Sequence, residues 1–179
     1  MAKLFIGADP GMEGAWAAID ENSNIISYIA NPRIGKTGPS DLQKICDWVN
    51  SLYLGSYEKV VMTVEDVHAL YQVSVKTTST LMESKGNIYG IMNAFAYFIP
   101  GVVTVQQIPP KEWQKKVWMF HDKVMTSSKV DTKKTSLACA KRLWPSEKFL
   151  ASEKCRTPHD GIVDALLIAE AARRSFNVI

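Results

Sequence analysis

Apolar residues along the chain change their spacing at intervals, and each change marks an element. KLFIGAD contains a continuous apolar run, as a central strand covered on both faces requires. GAWAAID follows the turn PGMEG, and NIISYIA follows the turn ENSN, so three strands in series predict an antiparallel meander. The stretch NPRIGKTGPS, rich in Pro and Gly, reads as a loop. Ser40 is then expected to cap the helix DLQKICDWVNSLY, in which Leu42, Ile45, Cys46, Val49 and Leu52 recur at helical spacing. KVVMTVED predicts a fourth strand, VHALYQVSV a loop, and a long helix follows from about Thr77 to Phe98. Its second half, NIYGIMNAFAYF, is apolar on nearly every side. Plain core packing fits that pattern, and so does burial against both the sheet and a second subunit. Gly86 and Gly90 would let another element come close. GVVTVQQI predicts a fifth strand ending at Pro109-Pro110, and helices are expected at about Lys111–Trp118, Thr132–Leu143 and Pro158–Ser175. Met119–Val130 has little periodicity and reads as a basic, mobile loop.

Strand-strand-strand-helix-strand-helix-strand-helices is the order of the ribonuclease H-like fold. The expectation is an α/β chain with a five-stranded mixed sheet, its first three strands antiparallel, and helices on both faces. A length of 179 residues fits one domain spanning 1–179.

Charge changes the picture more than composition does. The net charge is only +3. Between Lys111 and Lys148, however, ten Lys or Arg face four acids (Glu112, Asp122, Asp131, Glu147), a balance of +6. One region therefore attracts a polyanion. Cys46, Cys139 and Cys155 form no CxxC pair, which argues against a zinc knuckle or a disulfide framework. No run approaches the ~18 apolar residues of a membrane span, and MAKLFIGADPG lacks the pattern of a secretion signal.

Four carboxylates lie where burial is expected. Asp9 ends the first strand within DPGMEG, whose glycines allow close backbone approach to a ligand. Glu65 ends the fourth strand at the carboxyl edge of the sheet, with Asp66 facing away. Asp160 and Asp164 stand four apart at the start of HDGIVDALLIAEAA, extending the stripe of Ile168 and Ala172, with Gly161 between them. An unpaired buried charge is costly, and one divalent cation site would partner all four. His159 either caps that helix or carries a proton. Glu13 reads as an exposed turn acid, and Trp16, Trp113, Trp118 and Trp144 as core anchors. Lys111, Lys115 and Lys116 suit phosphate contact, though a solvated face explains them too.

These segments resemble the RuvC-type Holliday-junction resolvases, above all their small bacteriophage versions. GADPGMEGAWAAID is similar to the family's opening strand and first catalytic Asp, VEDV to its second acidic motif, and ESKGNIYGIM to its long helix. KKTSLACAKRLWP resembles the basic helix before the last motif, and HDGIVDALLIAEAA the closing acidic helix. The resemblance implies that Asp9, Glu65, Asp160 and Asp164 are catalytic and bind metal. In the bacterial pattern the acid before the last Asp lies at the place held here by Gly161, whereas Asp160 lies one residue earlier. Lys134 matches a DNA-contacting lysine, Lys133 adjoins it, and Lys111, Lys115 and Lys116 fall near another. Tyr71 is the aromatic nearest the family's wedge, whose comparable place His68 holds. The implied protein is a homodimer in the cytoplasm of a bacterium or a phage-infected host, with no membrane association. It would cut four-way DNA junctions by paired, symmetric nicks, using two Mg²⁺ (or Mn²⁺) ions per site. Another ribonuclease H-like nuclease, acting on branched DNA or RNA–DNA hybrids, would use the same acids. A phosphotransferase of the actin-like kind would need a second Gly-rich loop and a longer chain.

Overall fold

The structure, a computed structural model, describes residues 2–35, 38–68 and 74–176. The expected meander forms from β1 (Lys3–Asp9), β2 (Ala15–Asp20) and β3 (Ile25–Ala30). β4 (Lys59–Glu65) and β5 (Val103–Ile108) add parallel to β1, giving the order β3-β2-β1-β4-β5. This is the mixed, ribonuclease H-like sheet that the apolar runs predict.

α1 (Leu42–Ser51) and α2 (Val75–Phe98) cover one face. Ile45 and Val49 of α1 and Ile88 and Met92 of α2 pack on Leu4, Ile6 and Ala8 of β1. α3 (Pro110–Val117), α4 (Thr132–Leu143) and α5 (Asp160–Phe176) cover the other. The cap of α1 is Asp41 rather than Ser40: its carboxylate accepts the Lys44 amide at 3.2 Å. Ser40 instead bridges Arg33 across the preceding loop. A carboxylate is as good a cap as a hydroxyl, and the helix starts one residue later.

The stretch expected to be a mobile loop is ordered. A 3-10 turn at Phe120–Asp122 leads into a hairpin of β6 (Met125–Thr126) and β7 (Lys129–Val130). Asp122, 2% exposed, takes two hydrogen bonds from Arg142 of α4, at 2.8 and 2.9 Å, which pins the turn. The charge run hid a buried ion pair. Two of the fourteen charged residues in that run, Asp122 and Arg142, are internal structure.

α5 lies directly on the sheet because β1 has a glycine beneath it. A Cβ on Gly7 would strike the backbone carbonyl of Ala165 and the amide of Ala169. Neither atom can swing away as a side chain does. Gly7→Ala is therefore expected to cost ~1–3 kcal/mol or more by overpacking, read as a lower midpoint in denaturant unfolding. A midpoint within error of the parent would mean that α5 and β1 are not in backbone contact.

α2 is the least covered helix. Only Ser84, Ile88 and Met92 are buried, while Tyr97 and Phe98 are 79% and 76% exposed. Among the described residues, no atom of another element lies within 4 Å of where a Cβ on Gly86 or Gly90 would stand. Core packing thus explains one stripe of this helix, with Ile91, Phe95 and Ala96 half-buried beside it, and leaves Tyr97 and Phe98 open.

Candidate active site

Asp9 and Glu65 end adjacent parallel strands, with Ala8 in register with Val64. Their carboxylates therefore emerge side by side at the carboxyl edge of the sheet, where open α/β sheets bind ligands. The third acid comes from α5. A Cβ on Gly161 would collide with the Glu13 carbonyl and the Gly14 backbone, so the helix start rests on the turn after Asp9. Every residue from Gly161 to Ala172 is buried except Asp164, which is partly open. Its Oδ1 is buried and has no hydrogen-bond partner.

The electrostatics follow from this crowding. Burial pushes the Asp164 carboxyl up to about 8; the charge of Asp9 adds to this, Ser136 opposes it, and Glu65 and Asp160 add further. Burial pushes Glu65 up to about 7, against the hydrogen bond from Trp113 and with the charge of Asp9. Asp9 is raised by burial as well, with the Gly11 amide, His159 and Lys133 working the other way. Its Oδ1 accepts that Gly11 amide at 3.1 Å. Among the described residues no Lys or Arg forms an ion pair with Asp9, Glu65 or Asp164. Three acids share a low-dielectric corner, with Lys133 nearby but paired to none of them.

Asp160 is different. It was expected on the buried stripe, but its side chain is 53% exposed and pairs with Lys133 at 2.7 Å. Asp160 is the first residue of the helix, and its side chain reaches Lys133 and solvent rather than the sheet. His159 caps that helix, its Nδ1 accepting the Ile162 amide at 3.3 Å. Glu13 is exposed. Asp66, past the end of β4, pairs with Lys85 of α2 and with His68.

The basic residues divide into groups. Lys133 sits on Asp160, and Lys134 pairs with Asp131, the cap of α4, at 3.4 Å. Lys111 and Lys115 line a cavity of about 360 Å³ between α3 and the β6–β7 hairpin, together with Lys123. Lys116 turns away and donates to Ser175 at 2.6 Å. Ser175 lies near the far end of α5, fifteen residues and roughly 22 Å from Asp160. Tyr71 lies outside the described residues.

Several participants escaped the sequence reading. Trp113 is a core anchor, 1% exposed, yet its Nε1 donates to Glu65 Oε1 at 2.7 Å and so aims the carboxylate. Asn31 ties the DPG turn together, donating to the carbonyls of Asp9 and Gly11 at 3.3 and 2.8 Å. Glu170, fully buried, is held by Arg173, Arg174 and Ser23 and serves the far end of α5. Its own i+3 and i+4 arginines were the signal available for it.

A hard dication prefers carboxylate oxygens, and the orphaned Oδ1 of Asp164 beside Asp9 and Glu65 is a donor set of that type. Among the described residues no three acid, His or Cys side chains are gathered closely enough to ligate one ion as they stand. Like charges without a counter-ion favour such separation. The donor chemistry fits a divalent metal, and loading requires the side chains to close in.

Sheet topology and edge site together define a ribonuclease H-like fold with acids gathered at the carboxyl edge of its sheet. No family model matches the chain. No curated protein matches it either. Solved structures share its fold. The chain is similar to Thermus thermophilus RuvC at TM-score 0.52 and 14% identity, covering 99% of this chain and 97% of that one. It is similar to T. thermophilus RuvC in complex with a Holliday junction substrate at TM-score 0.50 and 14% identity, covering 99% and 96%. At that identity the likeness is one of fold.

Proposed function

We propose that the chain is a structure-specific endodeoxyribonuclease that cuts four-way DNA junctions in a divalent-metal-dependent reaction. The observation that carries this reading is the buried Asp164 carboxylate, its Oδ1 without a partner, set against Asp9 and Glu65 on a fold shared with a junction-bound RuvC. Asp9, Glu65 and Asp164 would hold Mg²⁺ or Mn²⁺, with two ions per site expected and Asp160 joining once released from Lys133. When bound, the metal supplies Lewis-acid chemistry, activating water for in-line attack and stabilising the leaving 3′ oxygen. The chain's own contribution is positional. Trp113 orients Glu65, the Gly11 amide fixes Asp9, and Ser136 steadies Asp164. Lys133, on the rim beside Asp160, is placed to exchange its carboxylate for a DNA phosphate. Lys111, Lys115 and Lys134 would hold junction arms through further phosphate contacts.

The test compares a synthetic four-way junction, a flap, an RNA–DNA hybrid and a plain duplex, each with Mg²⁺ and with chelator. Metal-dependent paired nicks on the junction are expected. Preferred cutting of the hybrid or flap would move the assignment to another ribonuclease H-like nuclease.

Symmetric nicking needs two sites, and the open face of α2 suits a second copy of the chain. Tyr97 and Phe98 stack edge to face at 5.4 Å on this exposed helix. We expect dimers by sedimentation, and Tyr97→Ser/Phe98→Ser to shift them to monomers of 19.9 kDa that no longer make paired nicks. A parent chain that sediments as a monomer at working concentration would defeat the paired mechanism.

A further inference from the structure

Beside the acidic centre, on the α2 side of the same sheet edge, is a cavity of about 460 Å³. Met12 of the β1–β2 turn, Arg33 of the loop after β3, and Lys76, Glu83, Ser84 and Asn87 of α2 line it. Its size is within the range of small-ligand sites. Nothing in the catalytic reading uses it.

Three observations make it more than a surface hollow. Its wall is continuous with the catalytic turn. Asn31 donates from its side chain to the Asp9 and Gly11 carbonyls and from its amide to the Gly14 carbonyl at 2.9 Å. Met12 lies inside that clasp and Arg33 two residues beyond it, so the cavity is held in register with Asp9. Ser84 is 7% exposed, and its Oγ has no partner. A helical serine can usually bond the carbonyl four residues back, so a buried hydroxyl without a partner, on a residue that lines the cavity, is a polar group a ligand there could satisfy. Finally, the wall is cationic. Arg33 spends its Nε on the Gly38 carbonyl at 3.0 Å, and neither Arg33 nor Lys76 has a carboxylate partner among the described residues. Glu83 is the one acid in the lining, and it is exposed.

We propose that this cavity binds one nucleotide of the DNA strand that adjoins the scissile phosphodiester, with Arg33 and Lys76 on its phosphate and Ser84 and Asn87 facing its base edge. The inference rests on the nuclease reading and adds a place where cut-site sequence is read. Asn and Ser supply donors and acceptors that tell base edges apart, while the two cations grip any sequence alike. A cavity tied to the turn of Asp9 can take only a nucleotide close to the bond being cut.

The experiment measures anisotropy of a labelled four-way junction across a salt series without divalent metal. It is paired with photo-crosslinking of junctions carrying 5-iododeoxyuridine at each position around the cut. Arg33→Gln/Lys76→Gln is expected to weaken binding about ten-fold and to lower the salt slope by about 1 to 2. Lys3→Gln/Lys59→Gln, at the opposite edge of the sheet, should change neither. Crosslinks should fall on the peptide holding Ser84 or on that holding Met12. Ser84→Ala should keep or raise Tm, since the lost hydroxyl has no partner in the unbound chain, yet reduce base discrimination at one position about five-fold. Unchanged affinity and slope in the Arg33/Lys76 variant, or crosslinks confined to other segments, would overturn the nucleotide site while the nuclease reading stood. A parent chain that binds no junction would overturn both.

Discussion

Asp164→Asn should lose junction cleavage by about a thousand-fold or more, roughly 4 kcal/mol of transition-state stabilisation, while binding the junction as before. The amide keeps the shape of the side chain and removes the charge a dication needs. Binding should survive because the cations proposed to grip phosphate lie elsewhere, on α3, α4 and the rim of the cavity beside α2. The same variant should also be more stable than the parent at pH 8 without metal. Asp164 is crowded by Asp9, and its buried Oδ1 has no partner, so ionising it works against the fold. Loss of activity together with gain of stability is the signature of a functional charge held at a structural cost. Single-turnover cleavage and thermal unfolding at pH 8 measure the two halves. Cleavage within ten-fold of the parent would remove Asp164 from the catalytic set.

Metal-free stability should fall as pH rises from about 5 to 8, and Mg²⁺ should reverse the loss. Asp164 and Glu65 titrate near 8 and 7 in the folded chain, against ordinary values of 3.8 and 4.5. Between those limits the folded state binds more protons than the unfolded state. The stability from these two groups is therefore complete below the ordinary values and lost as pH climbs through the folded ones. The acids with lowered values act in the opposite sense at lower pH. Asp122 is buried but more than compensated by Arg142, so its contribution is lost only as acid protonates it. The metal-free optimum thus lies near pH 5. Because the three acids interact and remain partly open to solvent, a net change of a few kcal/mol is expected, roughly 5–10 °C in Tm for a chain of this size. Metal ligands must be deprotonated, so the Tm gain from Mg²⁺ should grow with pH and binding should release protons. A Tm that rises from pH 5 to 8 without metal would mean that these carboxylates are not crowded together.

The two expectations rest on different parts of the reading. Asp9 and Glu65 were legible because each follows an apolar run that demands burial on both faces, and a strand's end is easy to find. Asp164 was legible from its place on the stripe of Ile168 and Ala172. Asp160 shares that spacing but not the environment, because as the first residue of α5 its side chain turns to Lys133 and solvent. The segment 119–130 was misread for a similar reason. Its order comes from Arg142, twenty residues ahead of Asp122, and no local periodicity reports such a partner.

By itself the sequence determined the strands, their meander, the helices of both layers and the acids at the sheet's carboxyl edge. These are consequences of apolar period and turn chemistry, which act over a few residues. Only the tertiary structure decided which acid lacks a partner, that Trp113 donates to Glu65 across 48 positions, and that Tyr97 and Phe98 remain uncovered. It also decided that Ser84, its hydroxyl buried without a partner, lines a cavity tied to the turn of Asp9. Charge pairing and burial depend on which segments meet in space, and that follows from the packing of the whole chain.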